Sequence, residues 1–449
     1  MTKQTDSREL ALDILLEILE RGGYSHVVLR QALNKYQYLE KQDRAFITRV
    51  VEGTLEYRLT IDAILDGCSK VKVKKMKPVI RTLLRMSVYQ IAWMDRIPDS
   101  AVCNEAVKLA GKRKFTGLKG YVNGVLRTVS RKKEEQGGFV FEDWSLKYSM
   151  PQWLIDFWCK QYPRDTVERM LQSFLKENPT AVRCNLDKAD KVQILKSLES
   201  QGVSVEESPL APNSLLLTSY DYLESLEAFR KGWIQVQDVS SSFVGEIADP
   251  QPGDKVLDVC GAPGGKSLHI ADKLKGTGLV VVRDLTEGKI RMVEDNIART
   301  GFPNIRAEVW DALVFDESWE NQADIVIADL PCSGLGIIGK KPDIKYQVTE
   351  EGLEDLARLQ RDILTVVSRY VKPGGRLIYS TCTVSRQENE EQADWFAASF
   401  PFQPVNMEGM LGNAIQEESM KAGYLQLIPG KYPCDGFFIA AFQKEAQES

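Results

Sequence analysis

One stretch limits what this chain can fold into: Val256-Leu-Asp-Val-Cys-Gly-Ala-Pro-Gly-Gly-Lys266. It reads as a short buried strand, a glycine-rich turn and a helix that begins near Lys266. Gly261, Gly264 and Gly265 carry no side chain, so a ligand can come close to the backbone amides. The helix start beyond them adds unpaired N–H groups and positive dipole at the same place. Such a turn is the cofactor turn of an open α/β sheet. A phosphate-gripping loop needs Gly-x-x-x-x-Gly-Lys-Ser/Thr. Gly265-Lys266-Ser267 fit it, but the first glycine falls on Cys260. The dinucleotide pattern Gly-x-Gly-x-x-Gly is broken by Ala262 and Pro263.

The chain has 449 residues, enough for several domains and a large core. Hydrophobic content of 43% and charged content of 27% are those of a soluble globular protein. No apolar run approaches the ~18 residues of a membrane span, and the polar start has no signal-peptide core. The eight cysteines include no Cys-x-x-Cys pair. They predict a reducing cytoplasm and no bound metal. His26 and His269 are the only histidines, which leaves little room for histidine acid–base chemistry. The net charge of −5 hides an asymmetry. Residues 1–133 carry 26 Lys/Arg against 14 Asp/Glu, an excess of 12, so the remainder carries −17. A basic arm on an acidic body predicts a nucleic-acid partner for the arm.

Residues 1–138 read as all-helical. Leu10, Ala11, Ile14, Leu15, Ile18 and Leu19 recur at helical spacing, and Gly22-Gly23 stop the run. Basic residues crowd Lys70–Lys77, and Lys112-Arg113-Lys114 with Lys119. A charge run alone is usually a solvated face, but the excess over the whole domain favours RNA contact. Arg131–Gly138 reads as a linker. Residues 145–240 form a small α+β domain, with strands at Thr180–Asn185 and Ser214–Thr218. From 241 to 449 strands and helices alternate. Strands are expected at 255–259, 279–283, 306–310, 324–328, 376–380 and 437–442. In such a sheet ligands bind outside the carboxyl ends of the strands. The glycine turn, Asp284, Asp311, Asp329-Leu-Pro-Cys332 and Thr381-Cys382 all fall there. Asp284 stands where an acid commonly holds a ribose hydroxyl pair.

Asp258-x-Cys-x-Ala-Pro-Gly-Gly-Lys266 resembles the cofactor loop of the RNA 5-methylcytosine methyltransferases. Lys341-Pro-Asp-Ile-Lys-Tyr346, Leu359-Gln-Arg-Asp-Ile-Leu364, Lys372-Pro-Gly-Gly375, Glu388-Asn389-Glu390 and Asp435-Gly-Phe-Phe438 resemble further motifs of that family. The helical order, with Tyr121–Arg127 near its end, is similar to the NusB-type domain. The combination resembles the RsmB (Sun/Fmu) group. That resemblance implies a Rossmann-like methyltransferase domain behind a NusB-like domain and a small α+β domain. It implies S-adenosyl-L-methionine as cofactor, held by Cys260, Gly261, Ala262, Pro263, Gly264, Gly265, Lys266, Asp284, Asp311 and Asp329. It implies methylation of a cytosine in 16S ribosomal RNA by a cytoplasmic, monomeric enzyme.

Carbon 5 of cytosine is a poor nucleophile. A thiolate that adds at carbon 6 makes the ring able to attack a methyl sulfonium. Resemblance makes Thr381-Cys382 the nucleophile motif and Pro331-Cys332 the source of the cysteine that helps resolve the adduct. Asp329 is expected to hold the ring nitrogen, and Lys266 to stand near the thiol. Cys260 lies in the cofactor loop and its side chain reads as packing. The segment before Asp435 often contains histidine in relatives, and here it has none. Three alternatives stay open: a P-loop-like ATPase with Ile325–Asp329 as its acidic strand, a non-catalytic RNA-binding factor, and the same chemistry on transfer RNA.

Overall fold

The computed structural model describes residues 6–446. They form two compact units. The first is helical and holds the chain up to Lys176 together with Ile338–Gln347. Its first helix, Ser7–Arg21, starts where the Asp6 side chain accepts from the N–H groups of Arg8 and Glu9. It stops where Gly22 turns left-handed, at φ 77°. Helices Lys41–Glu56, Arg58–Cys68, Pro78–Trp93, Asp99–Lys112 and Lys119–Gln136 follow, and Pro78 opens its helix at a position that needs no N–H. Leu15, Val50, Leu55, Leu83, Leu84 and Leu126 are fully buried in one core. A side chain on Gly53 would lie 2.0 Å from the Tyr89 ring, so glycine lets two helices close over it.

Ile338–Gln347 is distant in sequence from the helices it joins. Asp343 accepts from the Ser25 N–H at 3.0 Å and from its hydroxyl at 2.5 Å, and so caps the helix Ser25–Lys35. The Lys345 ammonium donates to the Glu56 carbonyl at 2.8 Å, and the Tyr346 hydroxyl to that of Leu55 at 2.9 Å. Both acceptors lie at the C-terminal end of a helix, where carbonyls lack partners. Burial pulls the Lys345 pKa down to about 7.

The second unit holds two sheets. Strands β1 (Thr180–Cys184), β2 (Ser204–Glu207), β3 (Ser214–Thr218) and β4 (Ile234–Val236) form an antiparallel sheet in the order β2-β3-β1-β4. The larger sheet contains β5 (Lys255–Asp258), β6 (Leu279–Asp284), β7 (Ile305–Val309), β8 (Ala323–Asp329), β9 (Val371–Thr381), β10 (Phe402–Pro404), β11 (Tyr424–Leu427) and β12 (Phe437–Lys444). Its order is β10-β12-β9-β8-β5-β6-β7, with β11 on β12. Strands β5 to β9 run parallel, and β12 runs against β9. The central parallel strands are buried on both faces, so they read as apolar runs such as Val280-Val-Val282, whereas β7 at the edge is partly exposed.

The chain leaves β5 towards β6 and β7, then returns to the other side of β5 as β8. This reversal opens a crevice at the carboxyl ends of β5 and β8. Among the described residues no helix is long and apolar enough to cross a membrane, and no group of three or more His, Cys, Asp or Glu could hold a metal.

Candidate active site

The glycine turn leaves β5 at Asp258. Gly264 takes φ 100° and caps the helix Gly265–Lys273. A side chain on Gly261 would fall 2.5 Å from Val282 and 2.7 Å from the Asp258 carboxyl. Gly265 differs: a Cβ there would meet nothing nearer than 3.9 Å, so the protein alone does not demand glycine. Asp258 is fully buried, and one carboxylate oxygen accepts from the Ser267 hydroxyl. Its Oδ1 has no hydrogen-bond partner. Burial pushes this carboxyl up to about 7, with Asp329 adding to the shift. In the sequence alone nothing marks Asp258 but its place at the strand end, where it opens the loop.

Asp284 stands at the end of β6, 3% exposed. Oδ2 accepts from the Ala262 N–H at 3.2 Å, and Oδ1 from Leu285 N at 2.8 Å and Lys289 Nζ at 2.9 Å. The strand end is thereby tied to the glycine turn. The Ala262–Pro263 peptide is cis. Asp311 lies two residues past β7 and accepts from Leu313 N at 3.0 Å. Around these two acids Leu285, Leu313 and Val314 are exposed, Leu285 by 60%.

On the other side of the crevice, Lys266 Nζ lies 2.7 Å from Asp329 Oδ2, and Ser380 Oγ donates to Asp329 Oδ1 at 2.7 Å. Burial works against the lysine charge, but the adjacent Asp329 outweighs it and the pKa is raised. Cys332 and Cys382, from the ends of β8 and β9, bring their sulfurs within 3.5 Å. The hydrogen bond to Cys382 and burial together push the Cys332 thiol well up. Either sulfur can donate the hydrogen bond between them. Cys260 packs against the core beneath the sheet, and burial pushes its thiol up as well.

Every residue expected at this edge is at the carboxyl ends of the parallel strands or in the segments that follow them, Gly265 and Lys266 in the first turn of the helix Gly265–Lys273. Three more were not singled out as site residues: Ser333, Thr383 and Glu388. Ser333 Oγ and Thr383 Oγ1 are 2.6 Å apart, and Ser333 donates to Glu388 at 2.5 Å. Glu388 was visible only as part of a family-like acidic run.

On the helical unit the two basic clusters differ. Lys112 is bonded to Glu9, and Arg113 lies 2.7 Å from Asp13 and 3.3 Å from Glu9. Lys70, Lys72, Lys74, Lys75 and Lys77 are exposed on and around a short turn whose Val73 and Met76 are buried.

The model of the 16S rRNA methyltransferase RsmB/F family matches residues 246–443. The NusB family matches residues 5–131, and the ferredoxin-like domain of RsmF/B-like methyltransferases matches 150–222. A probable ribosomal RNA small subunit methyltransferase B of Bacillus subtilis is 34% identical, over 99% of this chain and 100% of its own length. The chain belongs to the RsmB family. The corresponding probable methyltransferase of Synechocystis is 31% identical, over 98% of this chain and 99% of its own. The crystal structure of PH0851 superposes with a TM-score of 0.83 at 26% identity, covering 99% of this chain and 100% of that one. This RsmB-family chain is a methyltransferase with a NusB-like N-terminal domain, a small ferredoxin-like domain and a C-terminal methyltransferase domain with a mixed sheet.

Proposed function

We propose that this chain transfers a methyl group from S-adenosyl-L-methionine to carbon 5 of one cytosine in 16S ribosomal RNA, with Cys382 as the covalent nucleophile. One observation carries the reading: two thiols from adjacent strand ends stand 3.5 Å apart beside the crevice, and the lysine–aspartate pair stands beside them.

The residues at the glycine turn fit the cofactor. Gly265 leaves open space that a side chain would fill, and the buried Oδ1 of Asp258 awaits a donor. Asp284 would take the ribose hydroxyls, and Asp311 the adenine amino group. Leu285, Leu313 and Val314 offer that ring an apolar surface. When bound, S-adenosylmethionine supplies an electrophilic methyl group.

The chain's own residues prepare the base. The Cys332 sulfur lies 3.5 Å from the Cys382 sulfur, close enough to hydrogen-bond the nucleophile. The Lys266 ammonium lies within electrostatic reach of the Cys382 sulfur. Attack at carbon 6 forms the S–C bond and places electron density on carbon 5. Asp329, fixed by Ser380 and Lys266, holds the ring nitrogen as that density develops. After methylation a base takes the carbon-5 proton, the electron pair of that C–H bond re-forms the ring double bond, and the S–C bond breaks to release the thiolate, with Cys332 acting in this second half. A base must be unstacked to reach such a site, so a loop or single-stranded cytosine is the substrate.

Residues 1–138 and 145–240 serve as RNA-facing domains, and 241–449 as the catalytic one. The test is methylation of 16S ribosomal RNA and of transfer RNA by the purified protein, read by bisulfite sequencing. One protected cytosine in 16S RNA is expected. Protection in transfer RNA alone, or in neither, overturns the reading.

A further inference from the structure

Glu388 is fully buried in the turn Arg386–Glu388 after β9. No lysine or arginine pairs with it among the described residues, and burial pushes its pKa up. A buried carboxyl without a cation is costly unless its oxygens are bonded. Here they are. Oε2 accepts from Ser333 N at 2.8 Å and from Gln360 Nε2 at 3.2 Å, and Oε1 from Ser333 Oγ at 2.5 Å. Thr383 also bonds to it.

What it holds is specific. Ser333 directly follows Cys332, and Thr383 directly follows Cys382. Gln360 also donates to the Pro331 carbonyl at 2.9 Å, so the backbone on both sides of Cys332 is gripped by one cluster. The hydroxyl of the buried Tyr379, on β9, donates to the Glu388 carbonyl. The turn that carries Glu388 is thus fixed to the strand that leads into Cys382.

We propose that Glu388 is a positioning residue that sets the spacing of the Cys332 and Cys382 sulfurs. It contacts neither substrate nor cofactor and acts through Ser333 and Thr383. Its effect on rate rests on the function proposed above. Its effect on sulfur spacing does not.

The test uses the full-length protein and three variants: Glu388→Ala, Glu388→Gln and Thr383→Val. Diamide takes two electrons and two protons from a close thiol pair and is itself reduced to the hydrazine. The rate of Cys332–Cys382 disulfide closure, read by mass spectrometry of unreduced peptides, therefore reports the spacing without any methylation. Glu388→Ala should slow closure at least tenfold and lower kcat at least tenfold. The KM for RNA and the affinity for S-adenosylmethionine should stay within twofold. Glu388→Gln keeps one carbonyl oxygen for Ser333 and should fall between the two. Closure at the parent rate in Glu388→Ala overturns the proposal, whatever happens to methylation. Slowed closure in a protein whose parent never methylates RNA supports the positioning role and removes the function. If Glu388→Ala fails to bind cofactor, Thr383→Val decides, and parent-like closure with parent-like kcat there overturns the proposal.

Discussion

Ser333 Oγ and Thr383 Oγ1 are 2.6 Å apart, one residue beyond two sulfurs separated by 3.5 Å. The pairing follows from the sheet. Strands β8 and β9 are parallel neighbours, with Asp329 opposite Ser380. Parallel neighbours lie about 4.8 Å apart, so residues that leave both strands at one level stay side by side. Two cysteines distant in sequence meet because Cys332 follows Asp329 by three residues and Cys382 follows Ser380 by two.

The cofactor site gives a first prediction. Asp284→Ala removes the acceptor proposed for the cofactor's ribose hydroxyls and also the tie to Ala262 N. S-adenosylmethionine affinity should fall by about 1.5–3 kcal/mol, the range for hydrogen bonds to charged groups. Isothermal calorimetry without added metal measures it, and an unchanged affinity takes Asp284 out of the cofactor site.

Much of the fold was legible before any coordinates. Buried parallel strands announce themselves as apolar runs bounded by turn residues, and those found start and end within one or two residues of expectation, except β9. That strand begins at Val371, and the Lys372-Pro-Gly-Gly375 segment forms a bulge in it, with Gly374 at φ 76° and the register on β8 jumping from Ala323–Val371 to Ile325–Arg376. Burial and long-range pairing were not legible. Glu388 sits in an acidic run that looks like a solvated helix start. Lys341–Tyr346 has the composition of a loop, and its partner Ser25 lies 318 residues from Asp343. Lys112 and Arg113 read as a phosphate-binding run because Glu9 and Asp13, which pair with them, lie about a hundred residues earlier.

That last pairing separates the two basic clusters. Lys74→Glu with Lys75→Glu should flatten the salt dependence of RNA binding. Each lost phosphate contact on single-stranded RNA lowers the slope of log K against log salt by ~0.7. Lys112→Glu should change it less, because its charge is already met by Glu9. Filter binding across a salt series measures both slopes. Equal slopes in all three proteins would make both clusters plain solvated surface.

Lys345 sets a pH dependence whose sign can be worked out. Its folded pKa of about 7 lies below the ordinary 10.5, so between those values the unfolded chain binds more protons. Stability from this group therefore rises with pH across that window and is lowest at and below neutrality. Lys345→Met removes the titration along with the hydrogen bond to Glu56. Relative to the parent, the variant's melting temperature should be highest near pH 7 and decline towards pH 10. A pH-independent difference would mean that Lys345 does not titrate in this window.

The two thiols give the sharpest contrast. Cys382→Ala removes the atom proposed to attack carbon 6, so methylation and any covalent RNA adduct should both vanish. Cys332→Ala leaves that atom in place, so attack and methyl transfer should proceed. The second half should then stall, because the carbon-5 proton stays and the thiolate is not expelled. A protein–RNA adduct that survives a denaturing gel should accumulate in that variant alone. Radiolabelled 16S RNA run with both variants side by side decides the matter. An adduct from Cys382→Ala and none from Cys332→Ala would exchange the two roles. Retained activity with no adduct from either would remove the covalent route, since a bond to carbon 6 is the only step that ties protein to RNA.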